Sequence, residues 1–429
     1  MSGPDLSLEA AAARDLQDPL RDLRDRFYVP PETLYMDGNS LGLMSRNAEA
    51  CLGRVVEDWK RLGVRGWLEA EPPWFWYAER LGELAAGLVG ASPEEVVATG
   101  STTINIHLLV SSFFRPEGRR RKILADALNF PTDLYALRSQ ITLRGGDPER
   151  DLVLTQSSDG RTLDEADIEA GMGEDVALVF LPSVLFRSGQ LLDMERLSRA
   201  ARRRGIPIGF DCSHSVGVVE HALDAWDVDF AVWCGYKYLN GGPGAPAFLY
   251  VNRRHFGLGP ALAGWFGYAK ERQFELRLDF EPQPSAGGWQ ISSPGILGAA
   301  PLFGALELIN EVGIAALARK SQALTEYLVW LVEARLTDAP FGFRLGTPRD
   351  PKRRGGHVAL ERDHEAYRIS QALRGRGVVP DFRPPNVIRL APVPLYTGFS
   401  DVWQLVQHIV EIVERDEYQD YDASRQVIT

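Results

Sequence analysis

The residues best suited to chemistry lie in one run, Phe230-Ala-Val-Trp-Cys-Gly-Tyr-Lys-Tyr-Leu-Asn-Gly-Gly-Pro-Gly. An apolar strand is predicted to end at Gly235. Tyr236 and Lys237 follow, and then a glycine-rich loop. A lysine just beyond a buried strand stands at the carboxyl edge of the sheet, where open α/β folds bind ligands. Its amine can attack a carbonyl and form a Schiff base. Alone it reads as a solvated loop lysine, but its neighbours change that. Asp211 closes the predicted strand Ile206-Pro-Ile-Gly-Phe-Asp. A carboxylate there either caps the following turn or pairs with the protonated ring nitrogen of an electron-sink cofactor. His214, three residues on, can line the same pocket.

Two further runs could hold an anion and a ring. Thr99-Gly-Ser-Thr-Thr-Ile-Asn105 follows a short strand and opens a predicted helix. Free N–H groups and the dipole at such a helix start favour a phosphate, though the same residues also suit an ordinary cap. Asn129-Phe-Pro-Thr-Asp133 follows another strand, so Phe130 could stack on a ring and Asp133 could reach a ring substituent. Lysine is scarce: Lys60, Lys122, Lys237, Lys270, Lys320 and Lys352 stand against a total of 47 Lys and Arg. All but Lys237 have charged or loop-like sequence neighbours.

Positioning these residues requires a sheet with helices around it. Strands are predicted at 96–99, 122–126, 151–156, 176–182, 207–211, 230–235 and 247–252, alternating with helical stretches. That alternation argues for βαβ units and a mostly parallel, doubly wound sheet covered on both faces. Helices are predicted at 5–25, 45–62 and 77–90, and one long helix at 301–335. Beyond it, VALE at 358–361, a helix at 364–376, VIRLAP at 387–392 and a helix at 400–415 describe a smaller α+β C-terminal domain. The expected division is an N-terminal segment 1–65 packing on the small domain and the active site, a large cofactor-binding domain 66–300, and a small domain 301–429.

Composition narrows the function classes. The chain has 429 residues, 45% hydrophobic and 24% charged, with a net charge of −11. A net acidic chain with only short basic runs is a poor nucleic-acid binder. No apolar run approaches the length that spans a bilayer, and the acidic N-terminus does not resemble a secretory signal. Three cysteines, Cys51, Cys212 and Cys234, make no disulfide framework and no metal spacing. These features lead to an expectation of a cytoplasmic protein without a metal, membrane or nucleic-acid partner.

Taken together, the motifs resemble the fold-type-I pyridoxal phosphate (PLP) enzymes and, among them, the kynureninases. The resemblance rests on Asp-x-x-His at 211–214 with Gly-Tyr-Lys-Tyr-Leu-Asn-Gly-Gly-Pro-Gly at 235–244, and on Tyr35-Met-Asp-Gly-Asn-Ser-Leu-Gly-Leu. Ser101-Thr-Thr-Ile-Asn, Asn129-Phe-Pro-Thr-Asp, Gly264-Trp-Phe-Gly, Trp289-Gln-Ile-Ser-Ser-Pro, Gly355-Gly-His-Val-Ala-Leu and Arg389-Leu-Ala-Pro-Val-Pro-Leu-Tyr extend it over nearly the whole chain. It implies a hydrolase that splits L-kynurenine, and 3-hydroxykynurenine to a lesser degree, into anthranilate and L-alanine in tryptophan catabolism and NAD biosynthesis. It further implies a homodimer with the active site at its interface.

Carried to this chain, the resemblance makes Lys237 the PLP-linking catalytic base, Asp211 the partner of the pyridine nitrogen with His214 beside it, and Tyr236 a proton carrier. Phe130 would stack on the ring and Asp133 would sit near its hydroxyl. Thr102, Thr103, Tyr236, Trp265 and Ser293 would hold the phosphate, the last two from the partner subunit. Asn39, Ser40 and Arg389 would bind the amino-acid end of the substrate, and Trp67 the aryl end. Trp67 and Ser293 look bacterial rather than animal. Pro182 stands where relatives often carry a hydroxyl near the phosphate, with Ser183 a weak substitute. The competing readings are a class V aminotransferase, a cysteine desulfurase and a non-catalytic protein of the same fold.

Overall fold

The computed structural model describes residues 5–424. Seven strands form the main sheet in the spatial order Val96–Ala98, Ala247–Val251, Phe230–Cys234, Ile208–Asp211, Val176–Pro182, Lys122–Asp126, Leu152–Thr155. Only Ala247–Val251 runs antiparallel to its neighbours. The other pairings inside the sheet are parallel. The α/β class expected from the alternation is therefore the observed one.

The sheet is apolar on both faces, as helices on both sides require. Successive side chains alternate between two cores. Leu124, Val179, Phe210 and Trp233 enter one cluster. Ile123, Phe180, Phe230 and Val232 enter the other. Gly209 permits this packing, because a Cβ there would lie 2.1 Å from the Phe230 ring.

The C-terminal region has its own core. Its antiparallel sheet runs Asp381–Arg383, Val387–Leu390, Val358–Glu361, Arg344–Leu345. The N-terminal segment is tied to this region. Leu34–Tyr35 pairs in parallel with Val378–Val379. The Asp15 carboxylate accepts the Phe399 and Ser400 N–H groups at 2.6 and 2.9 Å, capping the helix Phe399–Glu414 from outside.

Three features differ from expectation. The long helix at 301–335 is two helices, Ile296–Val312 and Ile314–Arg335, bent by 84°. Gly313 sits at φ 83°, a left-handed conformation that suits glycine and ends a helix. The expected boundary at 300/301 thus falls inside the first of these helices. The helix at 5–25 stops at Gln17, and Asp18-Pro19 leads into a short 3-10 turn, Arg21–Arg26; proline cannot continue the ladder. Lysine burial also departs from the sequence neighbourhood. Lys320 and Lys270 are buried, whereas Lys237 is half-buried. The Lys270 ammonium bonds Glu79 at 2.6 Å and lies over the rings of Phe75, Trp76 and Phe266. Among the described residues, no single helix is long and apolar enough to cross a membrane.

The Lys320 ammonium meets Asp18 at 2.7 Å, both side chains being buried. Removing one partner of such a pair costs about 3–5 kcal/mol, whereas replacing both with apolar groups is near neutral. Lys320→Met is therefore expected to lower the urea midpoint sharply, and Lys320→Met with Asp18→Leu to recover most of the loss.

Candidate active site

The carboxyl edge of the main sheet gathers the expected groups. Asp126 ends one strand, Asp211 ends the next but one, and Lys237 follows Phe230–Cys234 by three residues. Lys237 Nζ lies 3.0 Å from His214 Nε2. Cys212 to Gly217 form turns rather than a helix, and it is this turn that brings His214 back over the lysine. Asp211 Oδ1 accepts the Ser213 N–H at 2.8 Å, so its two sequence readings coexist: it braces the turn and also faces the lysine. Burial and the nearby Lys237 amine depress the basicity of His214 well below the usual histidine range.

Asp133 faces Asp211 from the first turn of the helix Pro131–Leu143. Burial pushes both carboxyls up, and the charges of Asp211 and Asp126 push Asp133 further. The Lys237 amine and the Ser213 bonds pull Asp211 back down. Asp133 therefore keeps the proton, and Asp211 carries the charge beside Lys237. Burial also raises Asp126, to about 7. Tyr236 is raised beyond an ordinary phenol, chiefly by burial, so its hydroxyl stays protonated.

Thr102 and Thr103 open the helix Thr102–Phe113 behind Ser101. Thr103 Oγ1 bonds Thr132 Oγ1 at 3.1 Å, which joins two helix N-termini at one place. Gly100 makes the turn at φ 55°, where its carbonyl accepts the Ala247 N–H. Phe130 is partly exposed and touches Phe186 edge-on at 5.2 Å. Ser183 cannot supply the hydroxyl displaced by Pro182, because its Oγ bonds Ser215 Oγ at 2.7 Å and the Asp211 carbonyl at 3.1 Å.

The N-terminal loop closes the site from the other side. The Gly42 N–H donates to the Tyr236 carbonyl at 2.8 Å, and a Cβ at Gly42 would lie 2.4 Å from the Lys237 carbonyl oxygen. Asn39 is fully buried with both amide atoms unpartnered. Arg389, on Val387–Leu390, is buried, donates to the Phe186 carbonyl at 2.6 Å and approaches Ser40 Oγ at 3.5 Å. The Asp381 carboxylate accepts from its Nε and Nη2. Arg383 neutralises Asp381 as well, at 3.0 Å. Asp381 is an orienting group that the sequence motifs did not single out; its alternation with Arg383 on one strand was the available signal. Burial and the Asp381 charge raise Asp37 to about 6.

Not every expected residue joins this cluster. Trp67 packs edge-on against Trp74 at 6.1 Å and borders, with Ser293, a cavity of about 540 Å³. Trp74, Phe75 and Tyr77 are buried. Trp265 and Ser293 are exposed side chains without a hydrogen bond to the Lys237 cluster within this chain.

Unpartnered buried atoms test the fit of PLP. Both Asp133 oxygens, the Asn39 amide and His214 Nδ1 lack hydrogen-bond partners, and such groups are costly unless a ligand or water meets them. A lysine amine, an ionised carboxylate, a proton-bearing carboxyl and paired helix N-termini match the amine link, ring nitrogen, ring hydroxyl and phosphate of that cofactor.

Comparison with known proteins is consistent with this geometry. A sequence model of the kynureninase C-terminal domain matches residues 317–409. The kynureninase of Geobacillus thermodenitrificans strain NG80-2 is 53% identical over 422 residues, 98% of each chain. That of Bacillus anthracis is 50% identical over 98% of this chain and 97% of its own. Among solved structures, an apo cysteine desulfurase from Thermococcus onnurineus superposes with a TM-score of 0.78 at 19% identity, covering 92% of this chain and 98% of its own. A cystine C–S lyase variant with glycine covalently linked to its PLP cofactor gives 0.77 at 16% identity, covering 90% and 98%. At those identities the structural likeness speaks for the fold alone.

The Asp126 carboxyl binds its proton more tightly folded than unfolded. Its contribution to stability is complete below about pH 4 and lost as pH rises through about 7. In Asp126→Asn, urea unfolding is expected to show a gain over the parent at pH 8 that closes by pH 5.

Proposed function

The chain belongs to the kynureninase family, and from that premise we propose that it hydrolyses L-kynurenine to anthranilate and L-alanine with PLP held at Lys237. Identity of 53% along nearly the full length of a kynureninase carries this assignment. When bound, PLP supplies an electron sink that acidifies the substrate Cα–H and permits Cβ–Cγ cleavage.

This chain's residues do the rest. Lys237 takes the Cα proton as general base, its amine oriented by His214 Nε2. Asp211 stays ionised and holds a proton on the ring nitrogen, while Asp133 offers its proton to the ring hydroxyl. Arg389, held by Asp381 on Nε and Nη2 and by the Phe186 carbonyl on Nη1, directs its remaining Nη N–H groups at the substrate α-carboxylate. Asn39 and Ser40 flank that end, and Trp67 faces the aryl group. Tyr236 keeps its phenolic proton and donates it near the γ-carbonyl, which water attacks.

We further propose a homodimer in which Trp265 and Ser293 reach the partner's phosphate together with Thr102, Thr103 and Tyr236, and Phe130 covers the ring. Exposed apolar side chains support this: Leu278 is 102% and Phe274 72% accessible in the single chain. The division into an N-terminal segment, a large domain and a small domain, and a cytoplasmic location, with three free and buried cysteines, belong to the same proposal. Buried cysteines also disfavour a desulfurase, which needs a mobile reactive thiol. Because Trp67 and Ser293 are the residues that look bacterial rather than animal, kynurenine is the preferred substrate over 3-hydroxykynurenine.

Adding L-kynurenine to the PLP-loaded protein is expected to release fluorescent anthranilate. Lys237→Ala should lose both this signal and the cofactor's near-visible band, and a parent protein that binds no PLP would sink the assignment. Arg389→Lys is expected to raise KM about tenfold or more, since a point charge cannot reproduce the fork.

A further inference from the structure

The motif Gly355-Gly-His-Val-Ala-Leu has no role in the mechanism above, yet its His357 stands beside the Lys237–His214 pair. Its side chain is fully buried, and neither ring nitrogen makes a hydrogen bond. Its ring meets that of His214 edge-on, with centroids 5.8 Å apart. The groups facing it are Lys237, Arg389, Arg383 and the Arg187 backbone. Gly189 closes the remaining side, since a Cβ there would lie 3.2 Å from His357 Nε2.

A neutral imidazole donates from one nitrogen and accepts at the other. Lys237 Nζ lies 3.0 Å from His214 Nε2; an ammonium can only donate there, which puts the proton of His214 on Nδ1. That Nδ1 is buried without a partner. A buried N–H must find an acceptor, and the partner of one ring nitrogen decides the tautomer presented at the other. His357 is the neighbouring polar side chain with unused acceptor capacity.

We propose that His357 is a positioning residue that accepts the His214 Nδ1 proton through one bridging water, and so keeps the His214 Nε2 lone pair on Lys237. A single buried water with partners on both rings satisfies Nδ1 of His214 and one nitrogen of His357. Burial and the surrounding cations hold His357 uncharged, as this role requires. Without that acceptor His214 turns its N–H toward Lys237, and the amine loses its orientation at the substrate Cα.

This inference rests on Lys237 being the cofactor lysine, and the Lys237→Ala band loss tests that separately. The full chain, labelled with ring-¹⁵N histidine, reports tautomers directly by long-range ¹H–¹⁵N correlation, and only seven histidines need assignment. Before cofactor loading, His214 is expected as the Nδ1–H form in the parent and in His357→Gln, which keeps an acceptor. In His357→Leu it is expected to shift toward Nε2–H. After loading, kcat of His357→Leu should fall about tenfold with KM within about twofold, and His357→Gln should recover most of it. A parent His214 carrying its proton on Nε2 overturns the proposal, even if the leucine variant does not fold. So does an unchanged tautomer in a folded His357→Leu, or an effect confined to KM, which would make His357 a substrate contact.

Discussion

Two buried carboxyls, Asp126 and Asp133, and the half-buried Asp211 crowd one edge of the sheet with a single amine among them, and the site is organised by how that charge is settled. Asp126, Asp133 and Asp211 cannot all ionise away from water at this spacing. Asp211 has the Lys237 amine and the Ser213 N–H to hold a charge; Asp133 has no donor of its own and keeps a proton. Two residues of the same type therefore hold opposite protonation states, one a fixed anion and the other a carboxyl able to donate a hydrogen bond. The distinction comes from surroundings, not from chemistry intrinsic to aspartate.

The second half of the site depends on parts of the chain that are remote in sequence. Asn39, Ser40 and Gly42 come from the N-terminal loop, Phe186 from the turn after a central strand, and Asp381 and Arg389 from adjacent strands of the small sheet. Asp15, Asp18 and the pairing of Leu34–Tyr35 hold the N-terminal segment against the C-terminal region. The lysine-bearing loop and Arg389 are thereby positioned by separate cores.

Much of this was legible from local pattern. The strands Lys122–Asp126 and Val176–Pro182 have the limits that their apolar runs suggest. Where reading failed, a non-local cause was at work. The helix break at Gly313 depends on a backbone angle that the apolar periodicity on either side conceals. Lys270 and Lys320 look like surface lysines beside their charged neighbours, but Glu79 and Asp18, far away in the chain, compensate their burial. Ser183 looked like a spare hydroxyl until Ser215 was seen to occupy it.

The element types and the alternation that makes a mostly parallel sheet are readable from the chain alone, because they follow from periodicity along one segment; Lys237 with its Asp-x-x-His stands out there as a candidate through short motifs that resemble a family. Tertiary packing alone sets which aspartate carries the charge, how Asp381 and Phe186 fix the Arg389 guanidinium, and the place of His357 beside His214. Those outcomes depend on burial and on partners brought from distant strands, and burial is a property of the packed chain, not of any segment within it.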